Sequence, residues 1–473
     1  MTGNLPREHR APPQRPWPAW FLWGGVVYIA VAASIAGVRA GSTTDFRDFW
    51  ENGLHFRQTG EISTTLGVHN YLPVFTIVAA PASLLDLPVA VAVFVVFSLL
   101  LVGRAAALLE RHLSHDVLPA DRGHAAPLGS GPVALLLLLP YVHTCAVLGA
   151  LGLVLVALMI FAWVMAERRG SDSRLARRNR FLTGAARITA DAAPPVSAPP
   201  VSAPSEPPRP LAAGALLGLA AVLKLLPGVM IVLLALLGRW RAAAASLAVV
   251  ALLALGVPLA VLGWEGTLRA HVAFYETAVV GHSAVSTLLA DKPVKASYSN
   301  NALPIVLRRL LSPVNGGKEQ QAGGLFVNVA DLPRPQILAI YAAVMTLFAG
   351  ASLWVARRAR REPVGSPVRQ ASIGAWFCLA LLASPLVWTH YLVLALPPLM
   401  LLVERVRVAG RTRAIPWLAL AALGVWLLAA AALAWPAARA AGAQLLAVAA
   451  LWAAMIGYGL MPRSSSASAA TSD

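Results

Sequence analysis

Two aspartates three positions apart, Asp45 and Asp48, lie in Thr44-Asp45-Phe46-Arg47-Asp48-Phe49-Trp50, a few residues after the first long apolar run, 17–38. A carboxylate at the edge of a bilayer, flanked by aromatics, is costly to keep there without a use. The chemistry open to it is general-base catalysis, in which a positioned carboxylate takes the proton of an attacking hydroxyl. Spacing of i, i+3 would bring both carboxylates to one helical face. The segment holds no Asp-x-Asp pair and no further carboxylate for an all-oxygen cage, so the chemistry is expected to need no metal.

Other polar residues stand out against apolar surroundings. Lys224 interrupts Leu219-Ala220-Ala221-Val222-Leu223-Lys224-Leu225-Leu226-Pro227. Its ammonium could snorkel to the headgroups or be held for an anionic substrate group. Ser384-Pro385-Leu386-Val387-Trp388-Thr389-His390-Tyr391 joins two short apolar segments. Trp388 and Tyr391 suit a membrane interface in any case, but Trp388 could also stack on a sugar. His390 could hydrogen-bond a phosphate or a sugar hydroxyl. The stretch 264–334 mixes Arg269, His271, His282, Lys292, Lys295, Arg308 and Arg309 with Tyr275 and Tyr298. It is too long and too polar for a mere connection.

The elements that must position these residues are membrane helices. The 473 residues are 58% hydrophobic and 12% charged, about half the charge fraction of soluble domains. Apolar runs near span length recur throughout, so the chain is an all-α polytopic membrane protein. The net charge of +17 comes from Arg-rich stretches between spans, the pattern of cytoplasmic loops rather than of a nucleic-acid binder. Cys145 and Cys378 both lie in apolar segments, which gives no disulfide framework and no metal cluster. Walker, dinucleotide-binding and zinc-protease motifs are absent from the sequence, and no cofactor is expected.

Placing the basic clusters inside gives about twelve spans with both termini cytoplasmic. The predicted spans are 17–38, 88–108, 130–147, 148–167, 210–223, 225–238, 242–263, 335–356, 372–387, 390–404, 414–434 and 439–461. One helix over 210–238 would be about 44 Å long, more than the hydrocarbon core needs. A hairpin turning between Lys224 and Pro227 resolves this. Residues 73–86, broken by prolines, read as re-entrant or interfacial. The predicted organisation is a cytoplasmic arm over 1–16, a membrane domain over 17–461 and a disordered tail over 462–473. Within the membrane domain, 168–209 reads as an Arg- and Pro-rich disordered cytoplasmic linker, and 264–334 as a large extracytoplasmic loop. Asp45, Asp48, Lys224, the 264–334 loop and 384–391 then share the outer face. That clustering favours a surface active site over the midplane ionisable residues and internal repeats of a transporter, although a flippase for a lipid-linked sugar is the alternative reading.

Three segments resemble glycosyltransferase family 87 of the GT-C superfamily. They are Asp45-Phe46 after the first span, Ala213-Gly214-x-x-x-Gly218-Leu219-Ala220-Ala221-x-x-Lys224-x-x-Pro227, and Ser384-Pro385-x-x-Trp388-x-His390-Tyr391. The resemblance implies a GT-C-type bundle and a hexosyltransferase in the cell membrane. Its donor would be a polyprenyl-phosphate-linked sugar, with mannose the expected hexose, and its acceptor a lipid or glycan. It implies transfer on the extracytoplasmic face with Asp45 as base. Asp48, Lys224, Asn300, Trp388, His390 and Tyr391 are the expected substrate-binding residues. The chain departs from the family where relatives tend to read Gly-Gln-x-Asn, having Gly149-Ala150-Leu151-Gly152, and where they tend to read Asn-Gln-Ser-Leu, having Asn300-Asn301-Ala302-Leu303.

Overall fold

A computed structural model describes residues 45–62, 71–114, 129–167, 209–291, 295–317, 324–412 and 416–461. The arm, the first predicted span, nearly all of the 168–209 linker, Lys292 and the tail lie outside the described residues.

Among the described residues all regular structure is helical. The chain runs through α1 (Asp45–Thr59), α2 (Pro73–Ala79), a 3₁₀ turn (Ala80–Leu84), α3 (Leu87–Ser114), α4 (Ser130–Leu137), α5 (Leu139–Leu148) and α6 (Gly152–Glu167). It continues with α7 (Pro210–Leu223), α8 (Gly228–Leu236), α9 (Trp240–Ala251), α10 (Val257–Phe274), α11 (Ala284–Leu289) and α12 (Leu303–Leu311). The last third holds α13 (Arg334–Ala359), α14 (Pro367–Ala383), a 3₁₀ segment (Thr389–Ala395), α15 (Leu396–Thr412), α16 (Trp417–Ala431), α17 (Pro436–Ala440) and α18 (Ala443–Leu460).

Five helical stretches among the described residues are long and apolar enough to cross a bilayer: Leu87–Leu113, Trp240–Val280, Arg334–Ala359, Trp417–Ala434 and Ala443–Leu460. A sixth is formed if α4 and α5, bent by 67° at Leu138, count as one span. The protein is thus a multi-pass membrane protein, but the described helices do not give the expected twelve full spans. The other predicted spans fall on shorter helices, of which α6 has 16 residues, α7 14, α8 nine and α14 17. The physical reason lies in the interruptions. Extended Lys224 ends α7, left-handed Gly238 follows α8, and Ser384 before Pro385 ends α14, each short of the length that apolar composition alone suggested.

The stretch 264–334 also differs from the expected loop. Helix continues from Trp240 through Val280, bent at Gly263 (φ 68°) and widened to π turns at 252–256 and 275–280. Charged and aromatic residues in 264–280 are carried on helix, because polarity does not by itself break helical backbone. Residues 73–84, too short to span, form α2 and its 3₁₀ extension and clasp α1. Trp50 Nε1 donates to the Leu85 carbonyl at 2.9 Å and Arg57 Nη1 to that of Ser83 at 2.6 Å. A Cβ on Gly53 would sit 2.9 Å from the Ala79 carbonyl oxygen, so only glycine lets α1 approach this closely.

At Lys224 the chain reverses. Lys224 is extended (φ −159°, ψ 135°) and Pro227 follows, so α7 ends there. Gly214 faces Ala242 and Ala245 while Gly218 faces Ser246 and Val249, which makes α7 and α9 parallel neighbours. Small residues at this four-residue spacing let membrane helices pack backbone to backbone. The intervening α8 returns the chain to the end where Arg239 pairs with Glu167 at 3.2 Å. Glu167, 2% exposed, also takes a two-pronged grip from Arg369, whose Nη2 lies 2.7 Å from Oε1 and whose Nε meets Oε2. This buried cluster fastens α6, α9 and α14 at the end of α6 away from His390.

Candidate active site

The site forms where three segments meet: the start of α1, the break after α7, and the strand-like segment before the 3₁₀ helix at Thr389. Asp45 is the first residue of α1, where unpaired backbone N–H groups and the helix dipole favour a negative charge. Phe46 and Phe49 anchor the helix from below. Phe46 meets Phe94 at 5.0 Å between centroids, and Phe49 meets Phe75 at 4.8 Å and Tyr71 at 5.2 Å. Alternating inward aromatics and outward carboxylate are what an amphipathic helix on an apolar floor produces.

His390 Nε2 lies 3.5 Å from Asp45 Oδ2, and about a third of the Asp45 side chain remains exposed. The imidazole is 4% exposed, and Nε2 has no hydrogen bond among the described residues. Lys224 donates to the Tyr391 hydroxyl. Its Nζ lies 4.1 Å from the Tyr391 ring centroid and 4.9 Å from that of Tyr71, so two aromatic faces hold the ammonium by cation–π attraction. Burial pushes the Asp45 carboxyl up to about 6, against the pull of the Lys224 and Lys295 ammonium groups. A carboxylate poised there is still ionised at neutral pH and basic enough to accept a proton.

Lys295 completes the cluster. Its Nζ lies 5.9 Å from the Trp388 ring, and burial lowers its pKa while Asp45 raises it. Its backbone is left-handed (φ 58°), a conformation that side chains other than glycine's rarely adopt. The surroundings enforce it. Asn300 Nδ2 donates to the Lys295 carbonyl at 3.3 Å, and the buried Arg309 binds the carbonyls of Ser297 at 2.7 Å and Asn300 at 3.0 Å. Strain held in place by neighbours is characteristic of functional positions.

The same loop is zipped to 387–389. Asn300 Oδ1 accepts from Val387 N at 3.1 Å and Ala302 N at 3.1 Å, and Thr389 N donates to the Ser299 carbonyl at 3.2 Å. Arg439 of α17 locks the joint, reaching Thr389 Oγ1 at 3.2 Å over the Tyr298 ring.

The structure therefore brings Asp45, Lys224, His390 and Tyr391 together, with Trp388 at the rim beside Lys295. Asn300 lies at the site, where its amide donates to the Lys295 carbonyl and accepts from the N–H groups of Val387 and Ala302. Asp48 is exposed, and its charge neighbours are Glu51 and Arg47, not Lys224. Tyr71 and Arg439 were not legible as site residues, and Arg309, like Lys295, was named only as one of the basic residues of 264–334. Lys295 was one basic residue among several, and only its backbone conformation separates it from them.

The turn 149–152 abuts this site. Gly149 is left-handed (φ 60°), and a Cβ on it would meet Phe46 Cβ at 2.5 Å. Gly149→Ala should cost about 1–3 kcal/mol and cut transfer by shifting Phe46 and the neighbouring Asp45. Unchanged melting and activity would show that α1 has slack. At Gly152 an added Cβ would meet Val393 Cγ2 at 2.9 Å and the His390 carbonyl at 3.2 Å. The relatives' amide cannot fit there while His390 holds its place.

With this geometry in hand, comparison with known proteins is decisive on one point. The model of glycosyltransferase family 87 matches residues 69–385, well over half the chain. The chain belongs to glycosyltransferase family 87. Neither the curated proteins nor the solved structures contain a match to it. The family 87 match includes Lys224, Lys295 and Asn300, and ends before Trp388, His390 and Tyr391; Asp45 precedes it. As a family 87 member the protein is a membrane glycosyltransferase, which requires a sugar donor and an acceptor. Among the described residues no group of His, Cys, Asp and Glu is disposed to hold a metal ion.

Proposed function

We propose that this glycosyltransferase moves a hexose, mannose in the first instance, from a polyprenyl-phosphate donor to a lipid or glycan hydroxyl on the extracytoplasmic face. Asp45 acts as the base. One observation carries the reading: a one-third-exposed carboxylate at a helix N-terminus lies beside an imidazole Nε2 with no hydrogen bond among the described residues, and near two half-buried lysines. A sugar phosphoester already carries a good leaving group, so the protein must supply a base for the acceptor and positive charge for the departing phosphate. Asp45 serves the first need, and Lys224 and Lys295 the second. The aromatic faces around Lys224 fix its ammonium before the phosphate arrives, so little reorganisation remains for the reaction itself. His390 Nε2, unpaired beside Asp45, is placed to hydrogen-bond the acceptor or the sugar.

The test is transfer of radiolabel from polyprenyl-phosphate mannose to a membrane-lipid extract by purified protein in nanodiscs. Label in a new lipid supports the reading. Movement of intact donor between leaflets without transfer would replace it with a lipid-linked-sugar flippase. The pH profile gives a second check. The active form of Asp45 is the carboxylate, so kcat/KM should fall toward tenfold per unit as pH drops below about 6. Burial lowers the Lys224 pKa to about 8, so a second fall is expected above that pH as its ammonium is lost. A profile flat down to pH 4 would remove Asp45 from the base role.

A further inference from the structure

A second polar cavity, of about 650 Å³, opens between the end of α12 and the start of α13. Its walls include Asp291, Arg308, Asp331 and Arg334, with Pro313 and Pro333. Arg308 is only 3% exposed. Its Nη2 donates to the Ala290 carbonyl at 3.2 Å, but its Nε has no hydrogen-bond partner among the described residues. Arg334 donates to the Leu289 carbonyl at 3.1 Å and pairs with Asp291, while Asp331 is exposed at the rim.

The charge balance selects the ligand class. Two guanidiniums and two carboxylates cancel, so the cavity offers no surplus positive charge for a free phosphate. It offers donors and acceptors side by side, which suits vicinal hydroxyls that each give one hydrogen and accept another. The proline rings add apolar wall for the C–H face of a pyranose, completing the mix of apolar surface and few convergent polar groups usual in small-molecule sites.

The cavity is also coupled to the transfer site. Asp291 in its wall and Lys295 beside Asp45 are four residues apart, so their Cα atoms lie within about 14 Å. On α12, Arg308 lines the cavity while its neighbour Arg309 grips the Lys295–Asn300 loop. We infer that this cavity binds a neutral saccharide unit of the acceptor next to the transfer site. The inference rests on the transferase reading above.

The test is ligand-observed NMR on the full chain in nanodiscs. The probes are neutral gluco-, manno-, galacto- and arabino-oligosaccharides, with inorganic phosphate and a sulfated trisaccharide for comparison. At least one neutral oligosaccharide should bind the wild type. Asp331→Asn and Arg334→Gln, both at exposed positions, should each weaken it by about tenfold. Asp45→Asn, which addresses transfer alone, should bind the saccharide as the wild type does. In turnover with a glycan acceptor, Asp331→Asn should raise the acceptor KM and spare kcat. Failure of every neutral probe to bind, binding indifferent to both substitutions, or preference for the anionic probes would overturn the inference. Absence of transfer by the wild type, with saccharide binding intact, would count against the transferase reading instead.

Discussion

Asp45→Asn is expected to lower transfer by about 10²–10⁴-fold, the contribution of one positioned base, while leaving the protein as stable as before or slightly more so. The two effects have one cause. Burial raises the Asp45 pKa to about 6, above the value of a solvated carboxylate, so the ionised form is less stable in the folded protein than in the unfolded chain. An amide removes that cost above the unfolded pKa. It keeps the shape, and among the described residues the carboxylate it replaces has one ion-pair contact, the 3.5 Å approach to His390. A variant that melts higher yet scarcely turns over would have the signature of a functional, destabilised site. Retention of more than about a tenth of wild-type activity would be too small a loss for a base, and would turn attention to Asp48. The same measurements on Asp48→Asn, whose carboxylate faces away from Lys224, should show little change.

Glu167→Ala should have the largest effect on stability. The carboxylate receives Arg369 through two bonds and Arg239 through a third, and both Glu167 and Arg369 are almost wholly buried. Removing one partner of such a cluster leaves an uncompensated buried cation, which costs about 3–5 kcal/mol. Here two guanidiniums would face each other across the gap, though Arg239 can relax toward its exposed side. Thermal unfolding in detergent reports this, and a fall of several degrees is expected. The double variant Glu167→Ala with Arg369→Leu should recover part of the loss, because it buries no lone charge. If Glu167→Ala melted like the wild type, the cluster would be solvated and contribute little.

The membrane character of the chain was legible because composition and run length respond to bilayer physics directly. The break at Lys224 was legible for a similar reason: Pro227 and the excess length of 210–238 both forbid one straight helix. Span number was harder to read. Apolar composition describes 152–167 and 367–383 as readily as a full span, whereas helix length depends on where packing and prolines end each helix. In the site, Asp45, Lys224 and His390 could be named since each is a polar residue in an apolar frame. Asn300 was expected to bind substrate on the family resemblance alone, and its hydrogen bonds to Lys295, Val387 and Ala302 could not be read from sequence. Arg439 escaped notice, and Arg309 could not be told from the other basic residues of 264–334, because their partners are backbone carbonyls and loop hydroxyls brought near only by the fold.

The parallel packing of α7 on α9 also bears on how the protein is made. At 14 and nine residues, α7 and α8 are about 21 and 14 Å long, each short of the roughly 30 Å hydrocarbon core. Neither is a stable membrane segment alone, and α7 cannot meet α9 until the chain has turned back through α8. The three are therefore expected to enter the bilayer as one unit, with Gly214 and Gly218 packed on α9 and Lys224 held beside Tyr391 in the finished fold. The paired glycines are consumed inside the protomer by this packing, so they are not free to join two copies of the chain.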